Sequence, residues 1–453
     1  MSMKKVREFA TEKTVNQAIN YITKDPDNNL PNIFNYVENY AKLPHHKEWV
    51  RLVRDYFNRM PEAREQARRV SNNPHMLKKL VNTLVLKGSF MGRPERDKIS
   101  EELGVAIPAA ILIDPTTACN LRCTGCWAGE YDKSHSLEPE LLNRIIKEAR
   151  DLHIHWIVFS GGEPFVYPHL MEVLEDNSDS FFLSFTNGTL LTEETVNELA
   201  RLGNLSPAIS MEGMREKTDA RRGQGVFDKI SAGMDRLREN GVLFGASLTV
   251  MRDNVEELLS DEFIDFLIEK GVTYVWAFHY VPIGRNPNVE MMLTPEQRAW
   301  MIERVKEIRA TKPVFFLDFW NDGEHSKGCI AGGRQYFHIN GVGDVEPCAF
   351  VHFAVDNIRE KSLIEVLQNP FFKEYQRRVP FNENHLAPCP IIDAPQELRT
   401  MVKDCHAYPT HHGADDVLQG EVAEYLDEVS QKWLQVAQKV KAVENESCSP
   451  KKS

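Results

Sequence analysis

Cys119-Asn120-Leu121-Arg122-Cys123-Thr124-Gly125-Cys126 brings three thiols into one short stretch. Ahead of it, Ala110-Ile111-Leu112-Ile113 is an apolar run that reads as a strand. Behind it, Leu141, Leu142, Ile145, Ile146 and Ala149 recur at helical spacing between Glu140 and Leu152. The cysteines therefore occupy a loop between a strand end and a helix. Thiolates are soft ligands, suited to zinc, copper(I) and iron–sulfur clusters. Three on one tight loop suit one face of a cubic cluster and leave a fourth iron open to a small molecule. A closed zinc site needs a fourth ligand, and none stands close by.

Further turns follow, each after an apolar run. Ser160-Gly161-Gly162-Glu163-Pro164 follows Trp156–Phe159, and Thr186-Asn187-Gly188 follows Phe181–Phe185. Next comes Ala208-Ile209-Ser210-Met211-Glu212-Gly213. Glycines let a backbone approach a ligand closely, and Glu163 is an acceptor for an ammonium group. Taken alone, Gly-Gly and Asn-Gly are ordinary turn signals. In this order, at successive strand ends, the motifs resemble the radical S-adenosylmethionine (SAM) family, with its CxxxCxxC and GGE signatures.

The resemblance implies that Cys119, Cys123 and Cys126 hold a [4Fe–4S] cluster. It implies that Gly161, Gly162 and Glu163 hold the methionine amino group of SAM, and that Thr186, Asn187, Ser210 and Glu212 serve the ribose. Ser247 and Thr249 stand at period two on the fifth strand, and Ser247 is counted with the cofactor contacts. His279, Tyr280 and Arg285 follow the sixth strand and are candidates to face inward, although polar strand residues often face solvent. One departure is clear. Many members carry an aromatic residue before the third cysteine, but here Gly125 stands there and Trp127 follows.

The chain has 453 residues, 42% hydrophobic and 26% charged, with a net charge of −12. It is long enough for two or three domains, and the acidic balance argues against general nucleic-acid binding. No apolar run reaches the length of a transmembrane helix. The N-terminus is basic without an apolar signal core, so a cytoplasmic protein is expected. Eight cysteines in such a chain read as metal or redox ligands rather than a disulfide framework.

The expected class is α/β. Residues 1–105 read as helical, punctuated by Pro26, Pro31, Pro44, Pro61 and Pro74. Residues 106–310 alternate strands with helices, as in a parallel sheet clothed by helices. The strand candidates are Ala109–Ile113, Trp156–Phe159, Phe181–Phe185, Pro207–Ser210, Gly245–Val250 and Tyr274–Phe278. These six units resemble the partial (β/α)6 barrel of the radical SAM family, whose chemistry lies at strand C-terminal ends. The helical N-terminal region and the following domain are both expected to cap that mouth.

Residues 311–415 carry Cys329, thirteen residues, Gly343, four residues, then Cys348. This spacing resembles the opening of the family's SPASM and twitch extensions, which bind auxiliary iron–sulfur clusters. Tyr336–Ile339 and Val345–Cys348 flank a Gly-containing turn and read as a hairpin. Cys389 and Cys405 follow, with His406, His411 and His412 nearby as substitute ligands. One auxiliary [4Fe–4S] cluster is implied, on Cys329, Cys348 and Cys389, with Cys405 a further candidate. Buried thiols without metal are the plain alternative. Residues 416–453 read as a helix to about 441 and a disordered tail from Glu444.

The resemblance implies reductive cleavage of SAM to a 5′-deoxyadenosyl radical that takes hydrogen from a substrate. An electron donor such as a ferredoxin or flavodoxin is implied with it. A non-catalytic iron–sulfur electron carrier is the competing class, but it has no need of an open iron or a GGE turn. The substrate stays open between a peptide, which SPASM members often modify, and a lipid. The lipid reading rests on Leu77, Leu80, Val81, Leu84 and Val85, at the spacing of one helical face, flanked by Lys78, Lys79 and Lys87. Glu62 to Lys98 holds nine basic and four acidic residues, so peripheral membrane contact is a reading beside plain core packing.

Overall fold

The computed structural model describes residues 3–40 and 44–448. Its centre is a parallel run of seven strands: β1 (Ala110–Ile113), β2 (Trp156–Phe159), β3 (Phe181–Thr186), β4 (Leu205–Met211), β5 (Gly245–Val250), β6 (Tyr274–His279) and β7 (Phe315–Asp318). Six were expected. The seventh comes from beyond residue 310 and pairs with β6 in parallel register, Tyr274 opposite Phe315. Alternation within the strands sorts the side chains. Ile157 and Phe159 of β2, and Val275 and Ala277 of β6, pack outward into the core beneath the helices. Trp156, Val158, Trp276 and Phe278 line a central cavity instead.

Local chemistry sets the helices. Pro139 opens the helix Pro139–Asp151, whose Leu142, Ile145, Ile146 and Ala149 are buried. Thr192 and Ser260 cap Glu193–Leu202 and Asp261–Lys270 by accepting from the Thr195 and Phe263 amides. Both helices end on a left-handed glycine, Gly203 and Gly271.

The expected hairpin is present as β8 (His338–Ile339) and β9 (Asp344–Glu346). It also extends the barrel sheet, because β8 pairs in parallel with β1. The auxiliary region is thus hydrogen-bonded to the first barrel strand, beside the cysteine loop.

The N-terminal region is helical, and Pro26, Pro44, Pro61 and Pro74 each open a helix. Pro31 lies inside Pro26–Tyr40 instead of bounding it. The region does not cap the mouth. Asn73 donates to the Ala200 and Asn240 carbonyls, Gln66 to Val272, and Arg96 to His153. Those acceptors lie in the last turn of a helix or in the turns that lead into the strands, at the end of the barrel opposite the cysteines. Polar side chains on these helices meet the exposed carbonyls there, which fixes the region to that end.

The Leu77–Val85 stripe is also altered. Leu80–Met91 is a wide π-type helix, so the α spacing does not persist, and Asn82 and Thr83 are its buried residues. Leu77 is buried, and Leu80 and Leu84 pack against the barrel core. Lys79 donates to the Ser178 carbonyl and Lys87 pairs with Asp179.

The C-terminal helix runs Gly420–Cys448, beyond the expected end near 441 and through the segment from Glu444 expected to be disordered. Its Leu426 and Trp433 are buried against the auxiliary region and the helix Pro295–Thr311. Residues 449–453 lie outside the described residues. No helix among the described residues is long and apolar enough to cross a membrane.

Candidate active site

The C-terminal ends of the strands open into a cavity of about 380 Å3. Cys119, Cys123 and Cys126 lie on its wall with Gly161, Gly162, Glu163, Thr186, Asn187, Ser210 and Ser247. All ten barrel-site residues expected from the motifs, Glu212 apart, line this cavity, and the fold explains how they meet. Gly162 needs to be glycine: a Cβ there would fall 1.9 Å from the Ala118 carbonyl oxygen. The GGE turn is thereby pressed against the backbone that leads into the cysteine loop, and the Glu163 amide donates to that same carbonyl.

Glu163 is buried and its carboxylate is already engaged. It accepts from the Thr186 hydroxyl at 2.7 Å, the Asn187 amide at 2.7 Å and the Phe165 amide at 3.1 Å. Burial raises its pKa against those hydrogen bonds. Glu163 therefore ties the end of β3 to the GGE turn. Asn187 in turn donates to Asn120 at 2.8 Å, next to Cys119.

Glu212 does not line the cavity. It is fully buried and forms ion pairs with Arg221 and Arg222, both at 2.6 Å. Burial opposes its charge, but the two guanidiniums prevail and hold its carboxyl below the usual range. The expected ribose contact is thus replaced by a buried clamp that aims two arginines at the cavity. Arg222 Nη1 lies 4.0 Å from the Cys123 sulfur, and Arg221 donates to Thr249 at 3.0 Å. The arginines were missed in the sequence. A buried carboxylate demands a partner, and the adjacent Arg221-Arg222 was the available signal.

Gly125 has φ +61, and a Cβ there would meet the Tyr280 ring at 2.9 Å. Tyr280, just past β6, supplies an aromatic ring at the place where the cysteine loop lacks one. Trp127 lines the cavity too, 6.1 Å centroid to centroid from Phe350 of the auxiliary region. Arg285 lies over the same loop, donating to the Gly129 carbonyl at 2.8 Å.

The auxiliary cysteines separate three from one. Cys329, Cys348 and Cys389 line a second cavity. Cys405 does not: it caps the helix Pro395–Asp404, near Glu374 and Arg378. His411 is no substitute ligand here, since its ring meets His352 and Tyr131. Burial raises the three thiols, Cys348 to about 12. Sulfurs so placed become thiolates when a metal supplies the charge. The Tyr375 hydroxyl lies 3.1 Å from the Cys329 sulfur and the Tyr336 hydroxyl 2.9 Å from Cys348. Such hydroxyls tune a cluster by hydrogen bonding to its sulfur ligands. The two cavities share Phe319, Ile330, Tyr336 and Phe350 as a common wall.

Each cavity presents three thiols, the soft donor set that suits an iron–sulfur cluster. A tetrahedral zinc site would draw its sulfurs to about 2.3 Å from a point.

Residues 113–267 match the Radical SAM superfamily, and residues 329–391 match the iron–sulfur cluster-binding SPASM domain. The AdoMet-dependent heme synthase of Methanosarcina barkeri is 27% identical, over 58% of this chain and 82% of that protein. The mycofactocin maturase MftC of Mycolicibacterium smegmatis is 28% identical, over 55% of this chain and 66% of that one. The crystal structure of Streptococcus suis SuiB bound to S-adenosylmethionine aligns with a TM-score of 0.54 at 17% identity. It covers 63% of this chain and 72% of its own. With the cysteine loop, the GGE turn and the auxiliary thiols set on this barrel, the chain carries a radical SAM domain over residues 113–267 and a SPASM domain over residues 329–391.

Proposed function

We propose that this radical SAM enzyme cleaves SAM at the Cys119–Cys123–Cys126 cluster and abstracts hydrogen from a peptide side chain. The observation that carries the reading is the shared cavity, in which the three thiols, the GGE turn and an aromatic wall meet. Held by Cys119, Cys123 and Cys126, a cluster would supply the electron that breaks the SAM carbon–sulfur bond. The chain's own residues orient and exclude. Gly161 and Gly162 bring backbone against the ligand, and Glu163 holds that turn to Thr186 and Asn187. Phe350, Tyr336 and Ile330 line the cavity with largely apolar surface, which would help keep water from the reacting centre. A one-electron donor such as a ferredoxin or flavodoxin belongs to this reading.

A peptide is favoured over a phospholipid by position. The basic N-terminal segment lies at the far end of the barrel, with Lys87 paired to Asp179. The maturase among the relatives points the same way. The test compares 5′-deoxyadenosine yield with a peptide fraction and with a lipid extract from the same cells. Stimulation by the peptide fraction is expected, and stimulation by lipid alone would reverse the assignment.

A further inference from the structure

On the cavity wall the acidic, basic and phenolic groups named above already have partners. Thr186 and Asn187 hold Glu163, and Glu212 holds Arg221 and Arg222. The Tyr280 hydroxyl accepts from the Asn288 amide, and the Tyr336 hydroxyl lies on Cys348. His279 differs. It ends β6, lines the same cavity, and is 3% exposed. Its Nε2 is buried without a hydrogen bond. Asp318 Oδ1, at the end of β7, lies 3.6 Å away, just outside bonding distance.

The ring is held flat against Trp320, with centroids 5.3 Å apart and planes 9° from parallel. The neighbouring wall is aromatic. Phe278 meets Phe319 at 5.1 Å, Trp276 at 6.0 Å and Phe350 at 6.3 Å. Asp318 does not line the cavity; it stands behind His279 and is itself held by Asn321 at 2.7 Å.

We propose that His279 and the rings around Phe278 form the substrate subsite, which takes an uncharged apolar ring bearing one O–H or N–H donor. This rests on the reading of the cavity as the active site. Burial keeps the imidazole neutral by pushing its pKa well down, so it offers one donor and one acceptor nitrogen. The carboxyl beside Nε2 favours the proton there, which makes Nδ1 the acceptor. Trp320 fixes the ring plane, so the acceptor direction is set before substrate arrives. A charged group would be stripped of water among these rings without compensation. A ring lacking a donor would leave the imidazole unpaired. The subsite therefore selects for one donor on an otherwise apolar surface.

The test uses the reconstituted full chain and two small probes, 4-methylphenol and toluene, which share a shape and differ by the hydroxyl. The ratio of their dissociation constants is measured for wild type and for His279→Leu, with folding checked by circular dichroism. The preference for 4-methylphenol should fall about tenfold in the variant, the order of one hydrogen bond, while toluene binding is kept. In wild type with 15N-labelled histidine, the His279 ring nitrogen signals should shift with 4-methylphenol and hold still with toluene. That second reading stands even if the variant fails to fold. An unchanged ratio, an unmoved signal, or no binding of either probe overturns the proposal. SAM cleavage is assayed separately without probe; its absence would sink the proposed function and leave the probe result to judge the subsite alone.

Discussion

His338, on β8 of the auxiliary hairpin, lies 3.0 Å from Asp114 just past β1, and both side chains are fully buried. On its other side His338 Nδ1 is 2.6 Å from Glu346. Asp114 also accepts from the Ser160 hydroxyl at 2.6 Å, directly ahead of the GGE turn. One imidazolium thus joins the GGE turn to the auxiliary domain.

Removing one partner of such a buried pair costs about 3–5 kcal/mol. His338→Gln should lose stability on this scale in urea unfolding. Burial opposes the His338 charge, but Asp114 and Glu346 raise its pKa to about 10, against about 6.5 unfolded. A raised pKa gives stability that is whole below about 6.5 and is lost as pH climbs toward 10. The gap between wild type and His338→Gln should therefore shrink across that window. A gap that is constant from pH 6 to pH 10 would mean that His338 is neutral in the fold.

Glu163 holds the loop, and on the proposed function its loss bears on SAM rather than on iron. Glu163→Ala removes the acceptor for the Thr186 hydroxyl and the Asn187 and Phe165 amides. We expect SAM affinity to fall tenfold or more, about 1.4 kcal/mol, with iron content nearly unchanged. Parallel loss of iron and SAM in the same titration would make Glu163 a folding residue.

Glu212→Gln should act through the arginines. It leaves Arg221 and Arg222 buried without their counter-charge, at a cost of about 3–5 kcal/mol. Thermal unfolding should report the loss, and Arg222→Gln on top of it should recover part. No recovery in the double variant would separate the two residues energetically.

The auxiliary thiols should behave as three and not four. With Cys119, Cys123 and Cys126 all changed to Ala, about one [4Fe–4S] cluster should remain, as soft thiolates prefer. Adding Cys348→Ala should remove it, and adding Cys405→Ala should not, because Cys405 stands apart. Iron retained without Cys348, or zinc found instead, would count against this assignment.

What the sequence disclosed follows from how local its signals are. The strand runs and cap residues are short-range, so β2 and β5 fall where the apolar runs end, at Phe159 and Val250. The cysteine spacing and the GGE turn are equally local. The seventh strand was passed over because Phe315–Asp318 is short and lies past the alternating segment. Pairings across turns were harder to read: Arg221-Arg222 stands close to Glu212 in sequence, but only the fold shows that its carboxylate is spent on them. The placement of the N-terminal helices was misread for the same reason. Asn73 and Gln66 look like any surface amides until Ala200, Asn240 and Val272 are brought beside them. The π-type turn at Leu80–Met91 likewise cannot be seen in an apolar stripe that fits α spacing for only two turns.

The central claim is that the Cys119–Cys123–Cys126 loop and the GGE turn form one SAM-cleaving site. Anaerobically reconstituted protein is reduced in the presence of SAM, and 5′-deoxyadenosine is quantified for wild type and for Cys123→Ala. The account predicts steady 5′-deoxyadenosine formation by wild type and none above background by Cys123→Ala. Full SAM cleavage by Cys123→Ala would contradict it.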